Sequence, residues 1–275
     1  MPSNEPRESK AQQRDASRQK ALEMRAVQEK KAKRTRIFAI SGLVAAVAVL
    51  AVVVALILGQ AKPVAADLDP ETPLKGITAP AGALDNGAIP VGADGTAGST
   101  SGPEAVIVSV YFDYLCPFCA NFETANAATL DKMASAGEIT VEYHPISILD
   151  RLSSGSEYST RSAQAVAYVA DAAPEQFLAF HEALFANQPA ENTAGPTDEE
   201  IAAIAVEAGV PQEIADAIAV DSGKFTTWVA AATAQGQIDG VTGTPTVKIN
   251  GKATDQSVDL YTAGPLEEAI RAAIG

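Results

Sequence analysis

Hydrophobic and polar positions fall into four regimes along the 275-residue chain. From Ile37 to Leu58 the sequence reads IFAISGLVAAVAVLAVVVALIL, without a single charge. About twenty apolar residues cross the hydrocarbon core as a helix, whereas the apolar region of a cleaved signal peptide spans about 7–15. The run and its 36-residue charged leader predict a retained transmembrane helix over 37–58. Cleavage is the rival, because small-residue patterns follow at Gly59-Gln60-Ala61 and Val64-Ala65-Ala66.

The next regime has no period. Residues 60–103 hold six Pro, seven Gly and no aromatic residue, a composition that reads as a flexible tether over 59–86. Gly87–Gly92 is a candidate edge strand at the start of a folded domain over 87–275.

Inside that domain the pattern changes again. Ala105–Phe112, AVIVSVYF, is a continuous apolar run suited to a strand buried on both faces. A helix is predicted from about Pro117 to Ala136, with Phe122, Ala125, Leu130 and Met133 on one face and Gly137 as its stop. Ile139, Val141 and Tyr143 alternate with Thr140, Glu142 and His144 as a second strand. Strand, helix, strand predicts a parallel βαβ unit with a right-handed crossover. Residues from about 150 to 238 read as helical, with helices over Tyr158–Ala170, Pro174–Asn187 and Lys224–Gln235. Thr197-Asp-Glu-Glu200 carries a capping signature, and Pro211 marks another helix start. Strand pattern returns at Pro245–Asn250, Asn250-Gly251 signals a hairpin turn, and Leu266–Ile274 closes the chain as a helix. The fold class is α/β, with helices inserted between a βαβ unit and a terminal hairpin.

Charge fixes the expected orientation. Residues 1–36 carry eleven Lys and Arg against five Asp and Glu, and the rest carries nine against twenty-nine. Lys30, Lys31, Lys33, Arg34 and Arg36 abut the apolar run, and only Lys62 lies near its far end. The basic leader, a solvated helix or tail, is therefore expected in the cytoplasm and the domain outside. The acidic domain excludes a nucleic-acid partner, which requires cationic surface.

Two cysteines exclude a disulfide-dense scaffold. Both lie in Cys116-Pro117-Phe118-Cys119, where the first strand hands over to the first helix. A thiol at a helix N-terminus faces unpaired N–H groups and the positive end of the macrodipole, which favour thiolate. Cys119 lies one turn on, within reach of a disulfide. Pro117 at the first helical position loses nothing, since its missing N–H would be unpaired. Zinc needs four ligands, and only His144 and His181 remain to complete a set, so no metal site is expected. Two thiolates can hold Cu(I), which keeps a non-catalytic envelope carrier as an alternative. Trp228 reads as core. Thr244-Pro245 opens the late strand, where a Pro favours a turn or a cis bond.

The segment Phe112-Asp-Tyr-Leu-Cys-Pro-Phe-Cys-Ala-Asn-Phe-Glu123 and the loop Gly243-Thr-Pro-Thr246 resemble the DsbA-like branch of the thioredoxin superfamily, over about residues 87–275. The resemblance implies a thioredoxin-like fold with a helical insertion and a thiol-disulfide oxidoreductase. It implies that Cys116 attacks, Cys119 resolves, and Thr244 with a cis-Pro245 holds substrate backbone, with Pro117 and Phe118 completing the motif. The redox group would be the Cys116–Cys119 disulfide itself, with no other cofactor. Exported proteins would be the substrates, and a membrane redox partner would recycle the pair. Oxidation is the leading direction, and reduction or isomerisation the alternative. Two positions depart from the family pattern. Phe118 stands where many relatives have His, and Val110 where many have an acid. Asp113 is the nearest carboxylate, either a candidate proton relay for Cys119 or a solvated loop acid.

Overall fold

A computed structural model describes residues 68–220 and 222–275. The expected leader, membrane helix and first part of the tether lie outside the described residues. Among the described residues, no helix is long and apolar enough to cross a membrane.

Five strands form one sheet in the order β1-β3-β2-β4-β5. They are β1 (Ile89–Val91), β2 (Val106–Phe112), β3 (Ile139–Pro145), β4 (Thr246–Ile249) and β5 (Lys252–Ala253). The central pair β2 and β3 runs parallel from Val106↔Ile139 to Phe112↔Pro145, as the βαβ reading requires. The edge strand β1 pairs antiparallel to β3, and β4 pairs antiparallel to β2 on one side and to the edge strand β5 on the other. Between β4 and β5, Asn250 (φ 50°) and Gly251 (φ 77°) make the tight turn, and Asn250 Oδ1 accepts the Ile107 N–H at 2.9 Å.

Helix α1 (Pro117–Ser135) follows β2 after the four-residue loop 113–116 and stops at Gly137 (φ 73°). It buries Cys119, Phe122, Leu130 and Met133, with Asn126 on the buried face where Ala125 was expected. Asn126 Nδ2 donates to Phe122 O and, at 2.8 Å, to Leu260 O, which ties the helix to the loop after β5. The insertion holds α2 (Tyr158–Ala172), α3 (Phe177–Ala186), α4 (Asp198–Glu207), α5 (Gln212–Val220) and α6 (Thr226–Ile238). Thr197 and Glu200 close the predicted capping box on α4. Helix α7 (Pro265–Ile274) ends the chain and buries Leu266 and Ile270.

The two sheet faces differ. Val108, Val110, Phe112, Val141 and Tyr143 belong to the main apolar core. The opposite face carries Ser109, Tyr111, Glu142, His144 and Lys248. The expected polar alternation along β3 is present, but it is covered: Thr140 and His144 are buried. The His144 ring stacks on Tyr111 at 4.0 Å, Tyr111 Oη donates to Asp239 at 2.8 Å, and burial lowers the His144 pKa.

Residues 68–86, read from composition as tether, lie on the domain. Leu74 and Ile77 pack against the core, and the Ala81 N–H donates to Asp171 at 2.9 Å. Gly87 (φ 82°) lets this segment approach α6, since a Cβ there would stand 3.2 Å from both Leu74 Cδ1 and Ala232 Cβ. Scattered apolar residues, too few to make a period, were enough to seat it.

Candidate active site

Cys116 is the N-cap of α1, in extended conformation, and its carbonyl accepts the N–H groups of Cys119 (3.0 Å) and Ala120 (3.3 Å). Pro117 takes the first helical position, after the four residues that follow the end of β2. Both cysteines are free thiols. The thiols titrate in opposite directions. Cys116 is held below an ordinary thiol by a hydrogen bond from the Cys119 thiol, with the N–H groups of Cys119 and Phe118 adding to it against burial. Burial and the neighbouring Cys116 push Cys119 far above. Cys116, expected at an exposed helix start, keeps only 4% of its surface open. What covers it is the late loop: Cys116 Sγ donates to the Thr244 carbonyl at 3.3 Å.

Thr244-Pro245 is cis, so the structure brings Cys116, Cys119, Thr244 and Pro245 into one site. A groove of about 840 Å³ opens beside Cys116, walled by Phe118, Ile146, Leu149, Arg151, Glu191 and Thr244 among others. On the other flank of the cis-Pro loop, Pro245 and Tyr261 line a second groove. Phe118 is 58% exposed and its ring centre lies 5.8 Å from that of Tyr261, itself 47% exposed.

Asp113 is not a solvated acid. It is fully buried, and burial raises its pKa to about 6 despite three N–H donors. Oδ1 accepts Leu115 N–H at 2.9 Å, and Oδ2 accepts Ile148 and Leu149 N–H at 2.9 and 3.0 Å. The carboxyl thus fastens the active-site loop to a wall of the groove. No carboxylate replaces it at Val110, which is buried in the core.

The two histidines are elsewhere. His181 packs edge-on to Phe112 and Phe185, with Nδ1 2.8 Å from Tyr114 Oη and Nε2 3.3 Å from Glu123. Among the described residues, no group of three or more His, Cys, Asp or Glu is placed to hold a metal ion. Trp228 is buried core, as its neighbours in sequence indicated.

The sequence model of the thioredoxin family matches residues 93–265. The chain belongs to the thioredoxin family. Solved structures narrow this further. MdbA, a thiol-disulfide oxidoreductase from Actinomyces oris, is 27% identical over 72% of this chain and 94% of its own, with TM-score 0.58. The disulfide bond oxidoreductase DsbG from Mycobacterium tuberculosis is 34% identical over 68% and 85%, with TM-score 0.55. DsbA from Mycobacterium tuberculosis is 31% identical over 68% and 99%, with TM-score 0.53. No curated protein sequence matches the chain. The protein is a thiol-disulfide oxidoreductase of the DsbA, DsbG and MdbA type, which sets aside the non-catalytic reading. Enzymes of this type work through a cysteine pair without a cofactor, and Cys116 and Cys119 are the two cysteines of this oxidoreductase.

Several residues of the site were silent in the sequence. Tyr261 and Glu191 sit on loops and Arg151 in a short 3-10 turn, Asp150–Leu152, with no motif around them. Gln188, just past α3, donates to two carbonyls of the active-site loop and carries no local signal at all.

Proposed function

We propose that the protein is an extracytoplasmic oxidase, tethered by a membrane helix over 37–58, that passes a Cys116–Cys119 disulfide to cysteine pairs of exported proteins. The observation that carries this reading is the split between the two thiols: Cys116 is held low at the groove and Cys119 is held high behind it. In the oxidised enzyme a substrate thiolate attacks Cys116 Sγ. The Cys116–Cys119 bond breaks, and Cys119 leaves as thiolate and takes a proton. A second substrate thiolate then attacks the substrate sulfur of the mixed disulfide and releases Cys116 as thiolate. The substrate has lost two electrons and the enzyme pair has gained them. A membrane oxidant of the envelope then returns the pair to the disulfide.

Thr244 and Pro245 would hold the substrate backbone beside Cys116, with the groove taking the chain on either side of its cysteine. Asp113, with a pKa near that of a relay group, is a candidate acceptor and donor for the Cys119 proton. Reduction or isomerisation is the second reading. Phe118 favours it, because no imidazole stands between the cysteines to stabilise the Cys116 thiolate further.

The test is an assay of disulfide formation in a reduced, unfolded substrate, run beside an insulin-reduction assay. Wild type should oxidise the substrate and Cys116→Ser should lose both activities, whereas Cys119→Ala cannot form the enzyme disulfide and should accumulate mixed disulfides after Cys116 attacks a substrate disulfide, because no Cys119 thiol remains to displace the substrate. Insulin reduction without substrate oxidation would move the assignment to the reductase, and preferential alkylation of Cys119 in reduced protein would reverse the two thiol roles.

A further inference from the structure

We infer that Gln188 is a positioning residue: it holds the Cys116 backbone from the helical insertion and so sets how readily the Cys116 thiol ionises. The inference rests on Cys116 being the attacking thiol. Gln188 follows directly on α3, and its half-buried side chain reaches the active-site loop across more than seventy residues of sequence. Its Nε2 group donates one hydrogen to Tyr114 O at 2.9 Å and the other to Cys116 O at 3.0 Å. The carbonyl of the nucleophile and that of the residue two before it are therefore held by a single amide.

The rest of the loop is held from other directions. Asp113 O accepts the Cys116 N–H at 2.9 Å, and Asp113 Oδ1 accepts the Leu115 N–H. Gln188 is the contribution from the helical block. Its position against α1 is fixed by the buried side chains of α3, among them Phe177, Phe180, Leu184 and Phe185.

The clamp acts unequally on the two redox states. In the disulfide, the covalent bond to Cys119 already fixes Cys116. In the dithiol, the Cys116 thiolate depends on hydrogen bonds from the Cys119 thiol and the first N–H groups of α1, whose strength falls steeply with distance and angle. Loosening Cys116 O therefore destabilises the reduced thiolate form more than the oxidised form. The positive end of the Gln188 amide beside the loop works in the same direction. A residue that served only to dock the helical block would lower the stability of both states alike and leave their difference unchanged.

The experiment compares the full chain as wild type, Gln188→Met and Gln188→Lys. It follows Cys116 alkylation against pH and redox equilibration with glutathione. Gln188→Met, of similar length without donors, should raise the Cys116 pKa and slow alkylation below it about threefold. It should also lower the equilibrium constant for reduction about threefold, equivalent to a potential about 15 mV more negative. Gln188→Lys keeps donors within reach of both carbonyls and adds a positive charge, so it should show neither loss of the Met variant and should hold the Cys116 pKa at or below that of wild type. A Met variant with unchanged pKa and glutathione equilibrium overturns the inference even if its thermal midpoint falls, and so does a Lys variant that behaves like Met. Wild-type protein alkylated first at Cys119 would overturn the nucleophile assignment itself, a failure visible before any Gln188 variant is made.

Discussion

Only two residues separate Cys116 from Cys119, yet their surroundings drive the two thiols apart. Donors at the helix start and the Cys119 thiol serve Cys116, while Cys119 lies under its own helix with 1% of its surface open. Beside them, Asp113 makes a second titration testable. Burial raises its pKa from 3.8 to about 6. Between those values the folded protein keeps a proton that the unfolded chain releases. Its favourable contribution is thus complete below about pH 4 and lost as pH rises through 6. A shift of about two units corresponds to ~3 kcal/mol at most. Denaturant unfolding at pH 4 and pH 7 should show that loss in wild type and its absence in Asp113→Asn. The variant should be less stable overall, since its amide turns an NH₂ toward backbone N–H donors. Equal pH dependence in the two proteins would contradict the buried carboxyl. The cysteines and the Thr244-Pro245 pair were legible in sequence because their chemistry is tied to short local spacing. The burial of Asp113 and the reach of Gln188 were not, because each depends on a partner segment that only the fold brings near.

At the scale of elements, periodicity was a good guide wherever an element had one exposed face. Helix α1 follows from it, while the capping box on α4 and the Asn250-Gly251 turn follow from local residue signatures, and the parallel β2–β3 pair from the strand-helix-strand order. It failed where polar residues are buried by other elements, as on the covered face of β3, and where packing needs no period, as in residues 68–86. Just past β1, Gly92 makes a close approach that composition hides. A Cβ on Gly92 would lie 2.2 Å from Thr100 C and 2.5 Å from Ser101 N, both backbone atoms that cannot swing aside. Gly92→Ala should therefore destabilise the domain by about 1–3 kcal/mol through forced backbone shift. Gly95→Ala, with open space around its Cβ, is the control for left-handed strain alone (φ 73°). A Gly92 variant as stable as wild type would show that the edge of the sheet rearranges freely.

For the whole molecule, the proposed topology sets the redox setting: a basic leader inside, one span, and an acidic oxidoreductase domain outside the cytosolic reducing pool. Protease added to wall-stripped cells should remove residues 105–275 and spare the leader. Full protection of the domain without lysis would contradict that placement. The direction of electron flow then follows from which redox form the site stabilises. Hydrogen bonds to the Cys116 thiolate favour the dithiol and make the disulfide oxidising, while Phe118 withholds the further help an imidazole would give. The measurement that tests this account most directly is the reduction potential of the Cys116–Cys119 couple, by equilibration against glutathione. A value between about −120 and −200 mV is predicted, and one near −270 mV, typical of a reductant, would contradict the oxidase assignment.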